Sequence, residues 1–261
     1  MQPNTRAINH LNVTTIGLKE CIEKVSDASQ FNNRHGQLPH GRGIGIACSA
    51  YLTGAGLPIY WNKMPHSGVQ MKIDRGGGVT VFCGSTDIGQ GSDSVLATIV
   101  AEEFAIDPEQ VIVVTADTDL TPVDLGSYSS RVTLMTGNAA IEACRPLKEK
   151  LLSAVAEVFQ CTPESLTLSE GRVVSLRDTS KTVDFAEAVQ WAEAKFGTLG
   201  SVGSYTPPRR GGKFKGAGVG PSPNYSYSAC VADVECDPET GIYQVHKLWL
   251  AHDVGRSINP V

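Results

Sequence analysis

Residues 81–104 read VFCGSTDIGQGSDSVLATIVAEEF. A β-branched run leads into Gly84-Ser-Thr-Asp-Ile-Gly89-Gln90-Gly91, and beyond it Val95, Leu96, Ile99, Val100 and Phe104 stand three and four residues apart. That spacing lines one face of an α-helix, so the stretch predicts a strand, a bare loop and a helix. Pro108 is expected to end the helix, because it has no N–H to continue the ladder. The loop leaves two readings open. The first turn of a helix carries unpaired N–H groups and the positive end of the dipole, and glycines let an anion approach the backbone. Gln90 would add a neutral fork suited to an amide-like edge. A tight structural turn asks for the same glycines. No Gly-Lys-Ser/Thr follows and no GxGxxG spacing is present, so the loop is neither a Walker loop nor a dinucleotide fingerprint.

Outward from this segment, strands are expected at 43–53, 66–74 and 78–84, the last two flanking an Arg75-Gly76-Gly77 hairpin turn. VIVVT (111–115) reads as a short buried strand. A second helix is expected from about Arg131, kinked or divided at Pro146 before it resumes through Leu151, Val155 and Val158. Next come a strand at 165–176, a helix at 183–196 and a strand at 198–206. A basic glycine-rich loop (207–223) leads to a hairpin of 226–237 and 242–254 turning at Pro238-Glu-Thr-Gly241. One short helix is expected at 18–28. This order implies an α+β fold of mixed sheets with packed helices. The expected divisions are 1–42 (helix and linker), 43–160 (a first α+β subdomain) and 161–261 (a second).

The second loop, GSYSSRV (126–132), also leads into a helix. Ser129 or Ser130 could cap that helix, and Arg131 could be a solvated first-turn residue. Two serine- and glycine-rich helix starts nevertheless suggest a ligand with several phosphate or polar groups. Tyr128 could face a substrate or pack.

Composition narrows the class. An apolar fraction of 41% and a charged fraction of 19% are those of a globular protein. A net charge of −5 argues against nucleic acid or anionic membrane as the main partner. No apolar run approaches the ~20 residues of a membrane span, and MQPNTRAINHLNVTT lacks the apolar core of a secretory signal; a cytoplasmic location is expected. The seven cysteines (Cys21, Cys48, Cys83, Cys144, Cys161, Cys230, Cys236) contain no CxxC and read as buried free thiols, with no metal held on them. Asp117, Asp119 and Asp124 lack the glycine and glutamate of a calcium loop and read as solvated acids. His246 and His252, six apart on one expected strand, would share a face as interior histidines or a metal pair. His66, near a strand end, has no evident partner. Arg209, Arg210, Lys213 and Lys215 form a positive patch, either solvated or meeting the phosphates of a coenzyme A thioester.

Four ordered motifs carry a resemblance. CGSTDIGQGSDSV, LTPVDLGSYSSRVTLMTGNAA, YSYSACVADVECDPETG and LWLAHDVGRSINPV resemble the molybdenum-binding subunits of the xanthine oxidase family, the last through Asp253, Gly255, Asn259 and Pro260. The Gly-Ser-Tyr-Ser-Ser-Arg-Val-Thr wording is similar to the 4-hydroxybenzoyl-CoA reductase branch. The resemblance implies the cofactor-binding fold of xanthine oxidase and aldehyde oxidoreductase, and a pyranopterin–molybdenum cofactor extended by cytidine dinucleotide, held mainly by the 43–160 subdomain. Gly89, Gln90 and Gly91 would then touch the pterin and its pyrophosphate, with Ser127, Ser129, Ser130 and Arg131 in a second cradle. It implies reductive removal of a ring hydroxyl from an aromatic acyl-CoA, with hydroxylation of aldehydes, N-heterocycles or carbon monoxide as the alternative. It also implies iron–sulfur and FAD partner subunits. The family's Gly-Gly-Phe-Gly type loop and its C-terminal glutamate base are missing from these residues. The chain is therefore expected to be a fragment or one piece of a split subunit, truncated in its second subdomain and inactive alone, and no catalytic residue is assigned. A reading from another class remains: a non-catalytic phosphate- or nucleotide-binding module.

Overall fold

The computed structural model describes residues 4–6, 12–54, 64–207 and 224–258. In chain order, β1 (Thr5–Arg6) and β2 (Asn12–Val13) precede α1 (Leu18–Ser29), α2 (Phe31–Arg34) and the long strand β3 (Arg42–Thr53). Then come β4 (Ser67–Ile73), β5 (Val79–Cys83), α3 (Ser92–Phe104), β6 (Val111–Thr115) and α4 (Val132–Phe159). β7 (Leu166–Ser169), β8 (Arg172–Ser175), β9 (Thr182–Asp184), α5 (Phe185–Phe196) and β10 (Leu199–Tyr205) follow, and β11 (Asn224–Cys236) and β12 (Tyr243–Asp253) close the series.

The chain divides into two compact units, one drawn from its two ends (1–59 and 210–260) and one from its middle (60–209). This differs from the divisions expected at 42/43 and 160/161. Strand pairing is the reason: β10 lies beyond residue 160 yet pairs with β4, and β3 pairs with β11 from the far end of the chain.

The middle unit is built on a sheet of order β10-β4-β5-β6, antiparallel except for the parallel pair β5–β6. Val69, Met71, Ile73, Val79 and Val81 alternate along β4 and β5 and bury one face against Leu96, Val100 and Phe104 of α3 and Leu147 and Leu151 of α4. Each such side chain contributes about 1.5–3 kcal/mol by leaving water. Where β10 crosses α4, backbone meets backbone: a Cβ on Gly203 would lie 2.1 Å from the Ala139 carbonyl oxygen. Ser201 fastens the same contact by donating to the Ala143 carbonyl at 2.7 Å. The Asp74–Gly78 turn forms as expected, closed by Asp74 N–H to Gly78 O at 2.9 Å.

Three expectations in this unit need correction. α3 stops at Phe104 on a left-handed Ala105, and Pro108 instead opens a 3-10 turn capped by Asp107. Pro146 does not divide α4, which runs unbroken from Val132 to Phe159. Cys144, Leu147 and Leu151 are all fully buried, so packing on both sides of the proline outweighs a lost hydrogen bond. Finally, 165–176 is a hairpin, β7 against β8, because Glu170 and Gly171 adopt left-handed backbone between them.

The other unit holds the sheet β12-β11-β3, with α1 packed on it through Cys21 and Val25 against Ile44, Ala229 and Val231. Buried Asp233 is held by Arg34 and by Arg42, the latter at 3.0 Å. The register of β11 with β12 shifts between Asp233 and Val234, which leaves His246 as an extra residue. Neither His246 nor His252 is an interior residue. Both are exposed, one 2.8 Å from a Glu235 carboxylate oxygen and the other 2.7 Å from the Ser228 hydroxyl. Asp253 accepts from the N–H groups of Gly17 and Gly255; Asn259 and Pro260 lie outside the described residues. All seven cysteines are free, but only Cys21, Cys83 and Cys144 are buried, whereas Cys48 and Cys236 are exposed. Burial pushes the Cys144 thiol up to about 12. No helix among the described residues is long and apolar enough to cross a membrane.

Candidate functional site

β5 and β6 run parallel with Cys83 opposite Thr115, so the loops that leave them emerge at the same end of the sheet. This brings 84–91 and 116–131 together, and Thr86 meets Ser127 41 residues on. The junction is explicit. Ser127 Oγ donates to the Thr86 carbonyl at 2.7 Å and accepts from the Thr86 N–H at 3.0 Å. At the crossing, a Cβ on Gly84 would lie 2.2 Å from the Pro122 carbonyl oxygen, so only glycine lets the strands of chain pass.

The first loop supports itself. Gly89 and Gly91 have φ of +100° and +73°, and among the described residues nothing lies within 4 Å of where a Cβ would stand on either. Their backbone faces open space. The Gln90 amide folds back into the loop: its oxygen accepts from Ile88 N–H at 2.6 Å, and its nitrogen donates to Thr86 O and Ser92 Oγ at 3.0 and 2.9 Å. Asp87 accepts from Gly89 N–H at 2.8 Å and, through its other oxygen, from Asp93 N–H at 3.3 Å. Those backbone donors, with Gly91 and Ser92, hold the Asp87 carboxyl below the usual carboxylate range. Asp93 is pushed upward, by burial first and by the charge of Asp87, against a bond from the Thr115 hydroxyl.

The second loop rests on a buried charge cluster. Ser129 and Ser130 both take left-handed backbone, at φ of +50° and +47°, each costing about 1–3 kcal/mol. Neither occupies the cap of α4; that position is Arg131, with no capping bond from its side chain. Arg131 is not a solvated first-turn residue either. Its side chain is 1% exposed and donates to Gly126 O at 2.9 Å, 3.6 Å from Asp124 Oδ1, with the guanidinium 5.1 Å from the Tyr128 ring centroid. Nor is Asp124 a solvated acid: its side chain is 2% exposed and accepts from Gly126 N–H at 2.7 Å, Thr136 Oγ1 at 3.2 Å and the Ser67 hydroxyl. Beside them His66 is wholly buried, and among the described residues no hydrogen bond reaches either ring nitrogen. Burial, then the Arg131 charge, push its pKa down against the opposing pull of Asp124.

Asp87, Thr86, Asp124 and His66 shape the site but were not among the residues read as functional from sequence. A signal for two of them was present. Asp87-Ile-Gly89 and Asp124-Leu-Gly126 are both Asp-x-Gly, and in each the carboxylate accepts from the N–H two residues on.

The molybdopterin cofactor-binding domain family matches residues 21–261. The chain belongs to that family. As a molybdopterin cofactor-binding domain it has relatives among molybdenum oxidoreductases. It is 31% identical over 221 residues to the 6-hydroxypseudooxynicotine dehydrogenase complex subunit gamma of Paenarthrobacter nicotinovorans, covering 85% of this chain and 26% of that one. It is 25% identical to the putative xanthine dehydrogenase molybdenum-binding subunit XdhA of Escherichia coli, over 95% of this chain and 32% of the relative. Among solved structures, CO dehydrogenase from Oligotropha carboxidovorans aligns with a TM-score of 0.79 at 22% identity, covering 100% of this chain and 34% of that chain. Quinoline 2-oxidoreductase from Pseudomonas putida 86 aligns at 0.77 and 20% identity, over 98% and 33%. The domain therefore has the expected α+β fold of the molybdenum-cofactor-binding type. It spans about a quarter to a third of the length of these relatives.

Proposed function

We propose that the chain is the cofactor-holding portion of a larger molybdenum oxidoreductase. In this reading Gly89 and Gly91, held in shape by Gln90, line one stretch of a pyranopterin–molybdenum cofactor, and Ser127, Ser129 and Ser130, held from behind by Arg131, line another. The observation that carries it is the double hydrogen bond between Ser127 and Thr86, which makes one wall of two loops.

The residues present fit such a group. Gly89 and Gly91 leave open space beside bare backbone, and the second loop adds the hydroxyls of Ser129 and Ser130, while that of Ser127 ties it to Thr86. Gln90 keeps the turn in shape from within. Arg131, buried under the loop, holds the Gly126 carbonyl and so supports the cradle from behind. When bound, the cofactor supplies two-electron redox chemistry at molybdenum; this chain binds and orients it. The cytidine dinucleotide form, iron–sulfur and FAD subunits, and the remainder of the molybdenum subunit complete the proposal.

For the substrate we infer an aromatic acyl-CoA that loses a ring hydroxyl reductively, taking two electrons and two protons and releasing water. The Gly126–Thr133 wording supports it; the basic residues Arg209, Arg210, Lys213 and Lys215 lie outside the described residues. A second reading, hydroxylation of an N-heterocycle or aldehyde, is favoured by relatives whose names are a nicotine 6-hydroxylase and xanthine dehydrogenases.

Molybdenum and cytidine monophosphate released from the purified assembly are expected in equal amounts. Absence of both molybdenum and pterin overturns the cofactor reading and leaves a non-catalytic nucleotide-binding module. Anaerobic turnover of 4-hydroxybenzoyl-CoA with a low-potential donor separates the two substrate readings: consumption supports the first, and oxidation of an N-heterocycle or aldehyde alone supports the second.

A further inference from the structure

We propose that the outer face of the sheet β10-β4-β5-β6 is an interface of the assembled enzyme, covered by the portion of the molybdenum subunit that lies outside these 261 residues. α3, α4 and α5 all pack on the face that carries Val69, Met71, Val81 and Val111. By alternation the opposite face carries Gln70 and Lys72, Thr80 and Phe82, Ile112 and Val114, and Gly200 and Val202. The Lys72 ammonium stands 5.9 Å from the Phe82 ring centroid, which places both on it. Strand register sets Val202, Gln70, Phe82 and Val114 in one row across the sheet.

That face is not built for water. A sheet with one solvated face alternates apolar-in with polar-out, whereas a strand that is apolar on both sides is covered on both. β6, Val-Ile-Val-Val-Thr, is of the second kind, yet Ile112 is 63% exposed and, across the sheet, Val202 is 72% exposed. The expectation of a buried strand at 111–115 is thus met on one side only. Gln70, Lys72, Phe82, Gly200 and Val202 line a shallow groove there.

Two observations name the occupant. The chain spans about a quarter to a third of the length of its relatives, so most of such a subunit is polypeptide that these residues do not contain. Lys72 is the one charged residue among the outward positions of the four strands, so the covering layer is apolar with a carboxylate opposite it. A second copy of this chain meeting the face by two-fold symmetry would set the same patch against itself and bring Lys72 no carboxylate.

The inference rests on the cofactor reading for the identity of the larger subunit, and its test needs no turnover. The photo-crosslinking residue p-benzoylphenylalanine is placed at position 202 in the assembled enzyme, which is irradiated, and the joined peptides are identified by mass spectrometry. Cross-links to molybdenum-subunit peptides from outside these 261 residues are expected. Cross-links only to residues 1–261 of the same or a second copy, only to the iron–sulfur or FAD subunit, or to nothing overturn the proposal. The same probe at position 112 carries the test if the first variant fails to assemble. Lys72→Glu is expected to lower the cross-link yield about tenfold and Lys72→Gln by less; a yield unchanged by Lys72→Glu also overturns the proposal. Failure of the cofactor reading shows separately, as missing molybdenum and pterin in the same preparation.

Discussion

The two loops of the site reach similar ends by different physics. In 84–91 the holding groups are local: Asp87 bonds two and six residues ahead, and Gln90 reaches Thr86, Ile88 and Ser92. In 122–131 they come from afar, since Asp124 draws on Ser67 and Thr136 across 57 and 12 residues. The first loop can be rebuilt from its own sequence, whereas the second exists only once β4 and α4 are in place. The difference matters for function because Ser127 transmits the position of the second loop to the first.

Asp124→Ala should separate the two loops most sharply. It leaves the buried Arg131 without its carboxylate and strips acceptors from Ser67, Thr136 and Gly126. Removing one member of a buried pair costs about 3–5 kcal/mol, which denaturant unfolding measures as a lower midpoint at unchanged slope. A loss below about 1 kcal/mol would show that the cluster does not support the second loop.

Glycine substitutions give the next largest effect, and for unlike reasons. At Gly84 a methyl group would collide with backbone, 2.2 Å from Pro122 O and 2.9 Å from Asp124 N; such overpacking costs about 1–3 kcal/mol or more. At Gly89 the space is open and only the φ of +100° resists, at about 1–2 kcal/mol. Unfolding of Gly84→Ala and Gly89→Ala should rank them in that order. The hydrogen exchange of the Thr86 amide should rise in Gly84→Ala alone, because only that variant forces the two loops apart.

Legibility followed the same line. The hairpin at Asp74–Gly78, helix α3 and strand β6 were readable because alternation and three-to-four spacing are local signals. The bonds of Gln90 were not legible: a glutamine between glycines looks like a reader of ligand edges, and nothing in the spacing announces that its amide bonds Thr86, Ile88 and Ser92. Burial of Arg131 and Asp124 was invisible, since a charged residue in a serine-rich loop reads as solvated until Ser67 and Thr136 are brought beside it. The unit boundary was missed for a similar reason. Nothing local announces that β10 returns to β4.

Acid titration offers the finest separation, because each loop carries a group that titrates in its own window. His66, in the second loop's cluster, has a folded pKa pushed below its ordinary value by burial and Arg131. The unfolded chain therefore takes up a proton that the folded chain refuses, and stability falls as pH drops from about 6.5 until the lowered folded pKa is reached. Asp87 behaves oppositely in origin. Its folded pKa is depressed by backbone N–H donors, so its contribution is complete above about 3.9 and is lost as pH falls through the folded value. Denaturant midpoints of wild type, His66→Leu and Asp87→Asn across this range are the measurement. His66→Leu should flatten the fall in stability that begins below about pH 6.5 and leave the loss that begins below about pH 3.9 unchanged, and Asp87→Asn should do the reverse. If both variants altered the same window, the loops would be one electrostatic unit, and the contrast between a self-held turn and a core-held cradle would be lost.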